Sequence, residues 1–97
     1  MIEVRQTPTF TAWLKSLRDR EAQWKINIRL RRLELGNPGD IRAVGDRVSE
    51  LRIDHGPGYR VYFTKRGLAV VVLLCGGDKR TQARDIKRAQ DMVDQLE

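Results

Sequence analysis

The apolar positions of this 97-residue chain change period along its length. Ile2-Glu3-Val4-Arg5 alternates apolar and polar and predicts a short strand. Thr7-Pro8-Thr9 interrupts it, with Thr9 placed as an N-cap. Phe10, Trp13, Leu14 and Leu17 then recur at i, i+3, i+4 and i+7, which sets them on one helical face and into the core. Asp19 predicts a second N-cap, and Glu21 suits the dipole of a helix running to about Leu35. That helix has two apolar stripes. Ala22, Ile26, Leu30 and Leu33 form one; Trp24, Ile28 and Leu35 form the other. Two stripes predict two things to pack against, the sheet and a partner chain. Arg29, Arg31 and Arg32 are left on a solvated face. Gly36-Asn37-Pro38-Gly39 ends the helix.

The second half reads mainly as strands. Ile41–Val44 predicts a short one. In Ser49–Ile53, Leu51 and Ile53 face one way, Glu50 and Arg52 the other. His55-Gly56-Pro57-Gly58 is a turn. In Tyr59–Phe63, Arg60 and Tyr62 share the polar face. Lys65-Arg66-Gly67 turns again, and Leu68–Cys75 is apolar throughout, as a central strand covered on both faces would be. Short turns between the last three strands predict an antiparallel meander. Gly76-Gly77 reads as a turn closing the sheet. A last helix starts near Asp78 or Thr81, with Ala83, Ile86, Ala89 or Gln90, Val93 and Leu96 as its apolar face. The whole is an α+β pattern in a single domain spanning 1–97: an N-terminal strand, two helices, a small sheet and a C-terminal helix.

Composition narrows the function classes. Lys and Arg total 19 against 13 Asp and Glu, a formal charge of +6, and 14 of the cations are arginine. Arginine offers a planar fork for phosphate or carboxylate oxygens. The partners expected are nucleic acid or an acidic protein. No apolar run approaches the ~20 residues of a membrane span, and no signal-peptide pattern is visible. One cysteine makes no internal disulfide. The expectation is a reduced, cytoplasmic protein with Cys75 as a small core residue. One cysteine and one histidine argue against a protein-built zinc site, so no metal and no cofactor are expected.

The last helix carries its charges against the dipole. Lys79, Arg80, Arg84, Lys87 and Arg88 crowd its first half, while Asp91, Asp94 and Glu97 end it. The dipole favours the opposite order by about 0.3–1 kcal/mol per charge. A locally broken rule marks a functional candidate, here an anion site at the helix start. Arg52, Arg60 and Tyr62 share a strand face near that start, so a cleft of Arg52, Arg60, Tyr62, Lys79 and Arg80 is expected. Asp78 and Asp85 read as helix caps. No P-loop, dinucleotide fingerprint, HExxH or GxSxG motif is present.

Four blocks carry a family resemblance. They are Phe10-x-x-Trp13-Leu14-x-x-Leu17-x-Asp19, Gly36-Asn37-Pro38-Gly39-Asp40, the stretch Glu50–Phe63, and Leu73-Leu74-Cys75-Gly76-Gly77-Asp78-Lys79-x-x-Gln82-x-x-Asp85-Ile86. Together they resemble the phage-derived, HigB-like "addiction module killer" toxins of the RelE/ParE superfamily, from type II toxin–antitoxin systems. The resemblance implies a RelE/ParE-like fold and a toxin neutralised by a helix-turn-helix antitoxin of the HigA kind. Operator DNA would be met only through that antitoxin. It implies an mRNA endoribonuclease acting on the ribosome, with a ParE-like inhibitor of DNA gyrase as the alternative on the same scaffold. A non-catalytic module that binds antitoxin or nucleic acid is a third reading.

The resemblance also implies roles. Arg60 and Arg80 would stabilise the reacting phosphate, and Lys79 would add charge or act as acid. His55 or Tyr62 would be the base, His55 by its ordinary range near 6.5 and Tyr62 if neighbouring cations lowered its pKa. Arg52, Lys65 and Arg84 would extend the phosphate-binding surface. Trp24 and Ile28 would meet the antitoxin. The C-terminal tyrosine of some RelE relatives is missing from residues 79–97.

Overall fold

The computed structural model describes residues 1–96. Glu97, counted above in the acidic tail, lies outside the described residues. The elements are β1 (Glu3–Gln6), α1 (Pro8–Ser16), α2 (Arg20–Glu34), β2 (Ile41–Gly45), β3 (Val48–Ile53), β4 (Tyr59–Arg66), β5 (Val70–Asp78), a 3₁₀ turn (Lys79–Thr81) and α3 (Gln82–Gln95).

Local chemistry sets the helix ends. Thr7, not Thr9, caps α1: its Oγ1 accepts from the Phe10 backbone N–H at 3.1 Å, and Pro8 opens the helix. Proline suits that first position because its fixed φ is already helical and its missing N–H has no partner there. Thr7 Oγ1 also donates to the carbonyls of Leu73 and Leu74, at 2.9 and 2.8 Å, which ties the helix start to β5. Asp19 caps α2 through Ala22 N–H at 3.1 Å. Gly36, at φ +81°, lets the chain leave α2 while Gly36 and Asn37 N–H bond back to Leu33 and Arg32.

The sheet order is β1-β5-β4-β3-β2. The expected meander is present, antiparallel from β2 to β5. β1 is the exception: it pairs parallel with β5, Glu3 opposite Val70 and Gln6 opposite Leu73.

Both faces of the sheet are covered. On one, Phe10 of α1 and Ile26, Leu30 and Leu33 of α2 pack on Leu51, Ile53, Val61, Phe63, Val71 and Leu73. On the other, Ala89 and Val93 of α3 pack on Val48, Tyr62, Val72, Leu74 and Cys75. The strand face read as polar is therefore not solvated. Glu50 and Tyr62 are both 0% exposed beneath α3.

A bulge explains how β5 serves both cores. Tyr62 faces Cys75, but Phe63 faces Leu73, so Leu74 is extra. Leu74 and Cys75 both point toward α3, and the parity then shifts. Gly76 faces Trp13 and Gly77 faces Asp85. The glycine pair is thus strand rather than turn, which corrects the reading above. Glycine is needed for space: a Cβ on Gly76 would lie 2.3 Å from the Trp13 ring, and one on Gly77 1.9 Å from Asp85 Oδ2. Asp85 is also not a cap. It is 1% exposed and accepts from Thr81 Oγ1, whereas Asp78 does cap, in a capping box with Thr81. Ala83, expected in the core, is exposed.

Candidate anion-binding cleft

The strand ends nearest the β3–β4 turn frame a cleft of about 430 Å³, lined by Asp40, Arg52, Ile53, Asp54, Gly58, Arg60 and Lys79. Pairing places Arg52 directly opposite Arg60, with Gly77 on the far side of Arg60. Gly58, at φ +81°, turns the chain so closely that a Cβ there would touch Lys79 Cβ at 3.5 Å. The turn and the start of the 3₁₀ segment thereby bring Lys79 to the same opening.

Two like charges facing across a ladder repel. Asp40 relieves this pair: Arg52 donates to its Oδ1 from Nη2 at 2.7 Å and Nε at 3.2 Å. This hydrogen bond holds the Asp40 carboxyl below the usual carboxylate range, and the charges of Arg52, Arg29 and Arg60 lower it further. Arg29 fixes the loop that presents Asp40. Its guanidinium donates to Arg52 O at 2.6 Å, to Pro38 O at 2.9 and 3.3 Å, and to Asp40 O at 3.3 Å. It is a half-buried clamp, not a solvated cation as its position on α2 implied.

Arg60 has no such carboxylate. Its Nε is buried and has no hydrogen-bond partner among the described residues. A buried N–H left unpaired costs about 1–3 kcal/mol.

The other expected site residues lie elsewhere. Arg80 is bound to Asp78, Nη2 to Oδ2 at 3.1 Å, with its side chain 80% exposed, and it does not line the cleft. His55 is turned toward α2: Nε2 lies 2.8 Å from Asp19 Oδ2, Nδ1 3.2 Å from Glu21 Oε2, and the ring stacks on Tyr59. Tyr62 donates to Glu50 Oε2 at 3.1 Å. Its pKa is raised, first by burial and then by the Glu50 charge. That corrects the expectation of a cation-activated tyrosine base. Lys65 lines a different depression, with Arg47 and Ser49. Arg84 lies on the outer face of α3, 3.4 Å from Asp85. Trp24 (63%), Ile28 (38%) and Leu35 (60%) stand exposed as the second stripe of α2. Cys75 is buried, its thiol pushed up to about 11 by burial and by Asp85.

Two charged cleft residues were missing from the expected set, Asp40 and Asp54. The signal for Asp40 was available: its position just before β2 places it beside Arg52, whose N–H bonds Asp40 O at 3.0 Å. With both carboxylates counted, the cleft carries three cations against two anions. Asp54 makes no ion pair or side-chain hydrogen bond among the described residues. No helix among them is long and apolar enough to cross a membrane, and no His, Cys, Asp and Glu group among them is arranged to hold a metal.

A five-stranded sheet between helices, with Arg52, Arg60 and Lys79 lining a cleft at one end, defines a compact α+β fold. Residues 12–94 match the family described as "Phage derived protein Gp49-like (DUF891)", and the chain belongs to that family. It is 50% identical over 95 residues to an uncharacterized protein of Haemophilus influenzae, covering 98% of this chain and 96% of that one.

Proposed function

We propose that this protein is the toxin of a type II toxin–antitoxin module and cuts mRNA at the Arg60 cleft, with the ribosome presenting the message. Members of the Gp49-like family are often such toxins, which supports the first part. The observation that carries the second is the Arg60 guanidinium, held at the cleft with a buried N–H that has no hydrogen-bond partner among the described residues.

The chemistry follows from the lining residues. RNA cleavage by its own 2′-hydroxyl needs a base, charge stabilisation at phosphorus and an acid for the leaving oxygen. Of the two carboxylates, Asp40 is committed to Arg52 and is the weaker base. Asp54 is the free one and takes the 2′-hydroxyl proton. The 2′-oxygen attacks phosphorus while Arg60 and Arg52 bind the phosphate oxygens. The bond to the 5′-oxygen breaks, and Lys79 donates the proton that oxygen needs. The products are a 2′,3′-cyclic phosphate and a 5′-hydroxyl. Arg80 and His55 have no part in these steps.

The neutralising partner in this reading is a helix-turn-helix antitoxin packed on the Trp24, Ile28 and Leu35 stripe, and the setting is the cytoplasm. The test is purified protein with mRNA, with and without ribosomes. Arg60→Ala is expected to lower cleavage by about 10²–10³-fold without loss of fold, since it removes an unpaired buried N–H. Arg60→Lys rescues little, because the planar fork is lost. Intact message during full growth arrest would overturn the reading.

One observation favours a second reading. The cleft's charges nearly balance, and neither an imidazole nor a phenol lines it. That suits a protein-binding surface and the gyrase-inhibitor branch. Gyrase supercoiling assays with purified protein separate the two.

A further inference from the structure

Of the cations that crowd the start of the C-terminal helix, Arg80 is bound to Asp78 and the other four divide between two surfaces. Lys79 lines the cleft, while Arg84, Lys87 and Arg88 line a separate groove of about 720 Å³. This groove runs between α3 and the first turn of α1, at Thr9, and shares no residue with the cleft. The reversed charge order of α3 is therefore explained only in part by the cleft. A second surface takes up Arg84, Lys87 and Arg88.

Arg84, Lys87 and Arg88 follow at i, i+3 and i+4 and lie on one exposed face. Arg84 has Asp85 at 3.4 Å, but that carboxylate is buried and already accepts from Thr81. Lys87 and Arg88 make no ion pair among the described residues, although Asp91 stands one turn on. Asp91 lines the groove too, so three cations face one carboxylate there, and the surplus raises the local potential and draws anionic groups.

The groove is not only charged. Ala83 and the partly buried Met92 give it an apolar floor. No aromatic side chain lines it, so the bases of a single-stranded nucleic acid find no stacking platform there. A methionine floor adapts to varied apolar anchors. A cationic rim beside such a floor matches a helical segment that carries carboxylates on one side and an aliphatic residue on the other.

We infer that this groove docks an acidic amphipathic segment of a protein partner, with carboxylates against Arg84, Lys87 and Arg88 and an apolar side chain on Ala83 and Met92. The inference goes beyond RNA cleavage and does not depend on it, because it uses none of the cleft residues.

The probe is a fluorescein-labelled synthetic peptide of ~15 residues, about four helical turns. Its glutamates are spaced i, i+3 and i+4, with leucines on the adjoining face. A scrambled peptide of the same composition and a labelled single-stranded RNA of the same length are titrated alongside. Anisotropy with the full chain is expected to show the patterned peptide binding more tightly than the scrambled one. The double variant Lys87→Glu/Arg88→Glu is expected to weaken it by about fivefold to tenfold, and Met92→Ser by severalfold. RNA affinity falls less than peptide affinity, by the general loss of positive charge alone. If the double variant does not fold, Lys87→Gln/Arg88→Gln removes the charges without reversing them. Equal binding of both peptides would overturn the inference, as would peptide binding unchanged in the charge variants. RNA affinity that falls as much as peptide affinity, and falls with Met92→Ser as well, would also overturn it and assign the groove to nucleic acid.

Discussion

Arg52 grips Asp40 with two nitrogens on one carboxylate oxygen, Nη2 at 2.7 Å and Nε at 3.2 Å. The anion that partners one cleft arginine is thus part of the chain itself. A phosphate arriving at Arg60 meets a neighbour whose charge is already answered.

Asp40→Asn is therefore expected to strengthen anion binding. The change frees Arg52 and removes one of two negative charges at the cleft. Affinity for a non-cleavable 2′-O-methyl RNA is expected to rise about threefold to tenfold at low salt, with a steeper salt dependence. Sulfate binding rises in the same direction. Weaker binding in a folded Asp40→Asn protein would show that Asp40 orients Arg52 for the ligand.

Acid stability follows from three carboxylates. Asp19, Asp40 and Asp78 are each held below the ordinary value of 3.8, first by hydrogen bonds from His55, Arg52 and Arg80 respectively. A depressed native pKa contributes stability that is present above the unfolded value and lost as pH falls through the native one. Tryptophan fluorescence and thermal unfolding are expected to report steady stabilising contributions from these groups down to about pH 4, then a loss below it. Their contribution fading near pH 6 would contradict the assigned partners.

Tyr62→Phe separates structure from chemistry. The hydroxyl reaches only the buried Glu50, which also accepts from Gln82 at 2.7 Å and Arg42 at 3.3 Å. Losing one of three donors is expected to cost about 1–2 kcal/mol, roughly 5–10 °C in Tm for a domain of this size. Cleavage by the folded protein stays within about twofold. A large loss of rate without loss of stability would return Tyr62 to the reaction.

Gly77→Ala tests the packing of β5 under α3. The added methyl would overlap Asp85 Oδ2 at 1.9 Å and Thr81 Oγ1 at 2.8 Å. Overpacking of this kind is expected to cost about 2–3 kcal/mol, seen as a Tm lower by roughly 10–20 °C. An unchanged Tm would mean that α3 shifts freely, against its seat on Tyr62 and Cys75.

Much of the fold was legible in local pattern. The stripe of α1, the Asp19 cap, the two faces of α2 and the meander all follow from periods of 3.6 and 2 and from the glycine-rich ends. The misreadings share a cause: each depends on an element distant in sequence. Tyr62 and Glu50 alternate as an exposed polar face should, and only the return of α3 buries them. Gly76-Gly77 has turn composition, yet Trp13 and Asp85 demand glycine in a strand. His55 sits in a turn, and Asp19, 36 residues away, draws it from the cleft. Arg52, Arg60 and Lys79 converge as charge and strand alternation implied. The counter-ion Asp40 is legible only through the register of β2 on β3, which sets Ile41 opposite Leu51 and so Asp40 beside Arg52.

The parallel pairing of β1 sets the order of assembly. Glu3 waits for Val70 and Gln6 for Leu73, and such distant contacts form late. On a chain growing from its N-terminus, the first strand emerges long before its partner. The helical hairpin behind it has no finished sheet to cover, and Lys79 has not yet joined Arg60. The cleft thus comes into being only once β5 and Lys79 have joined the earlier strands, as a late product of closure rather than a property of any fragment.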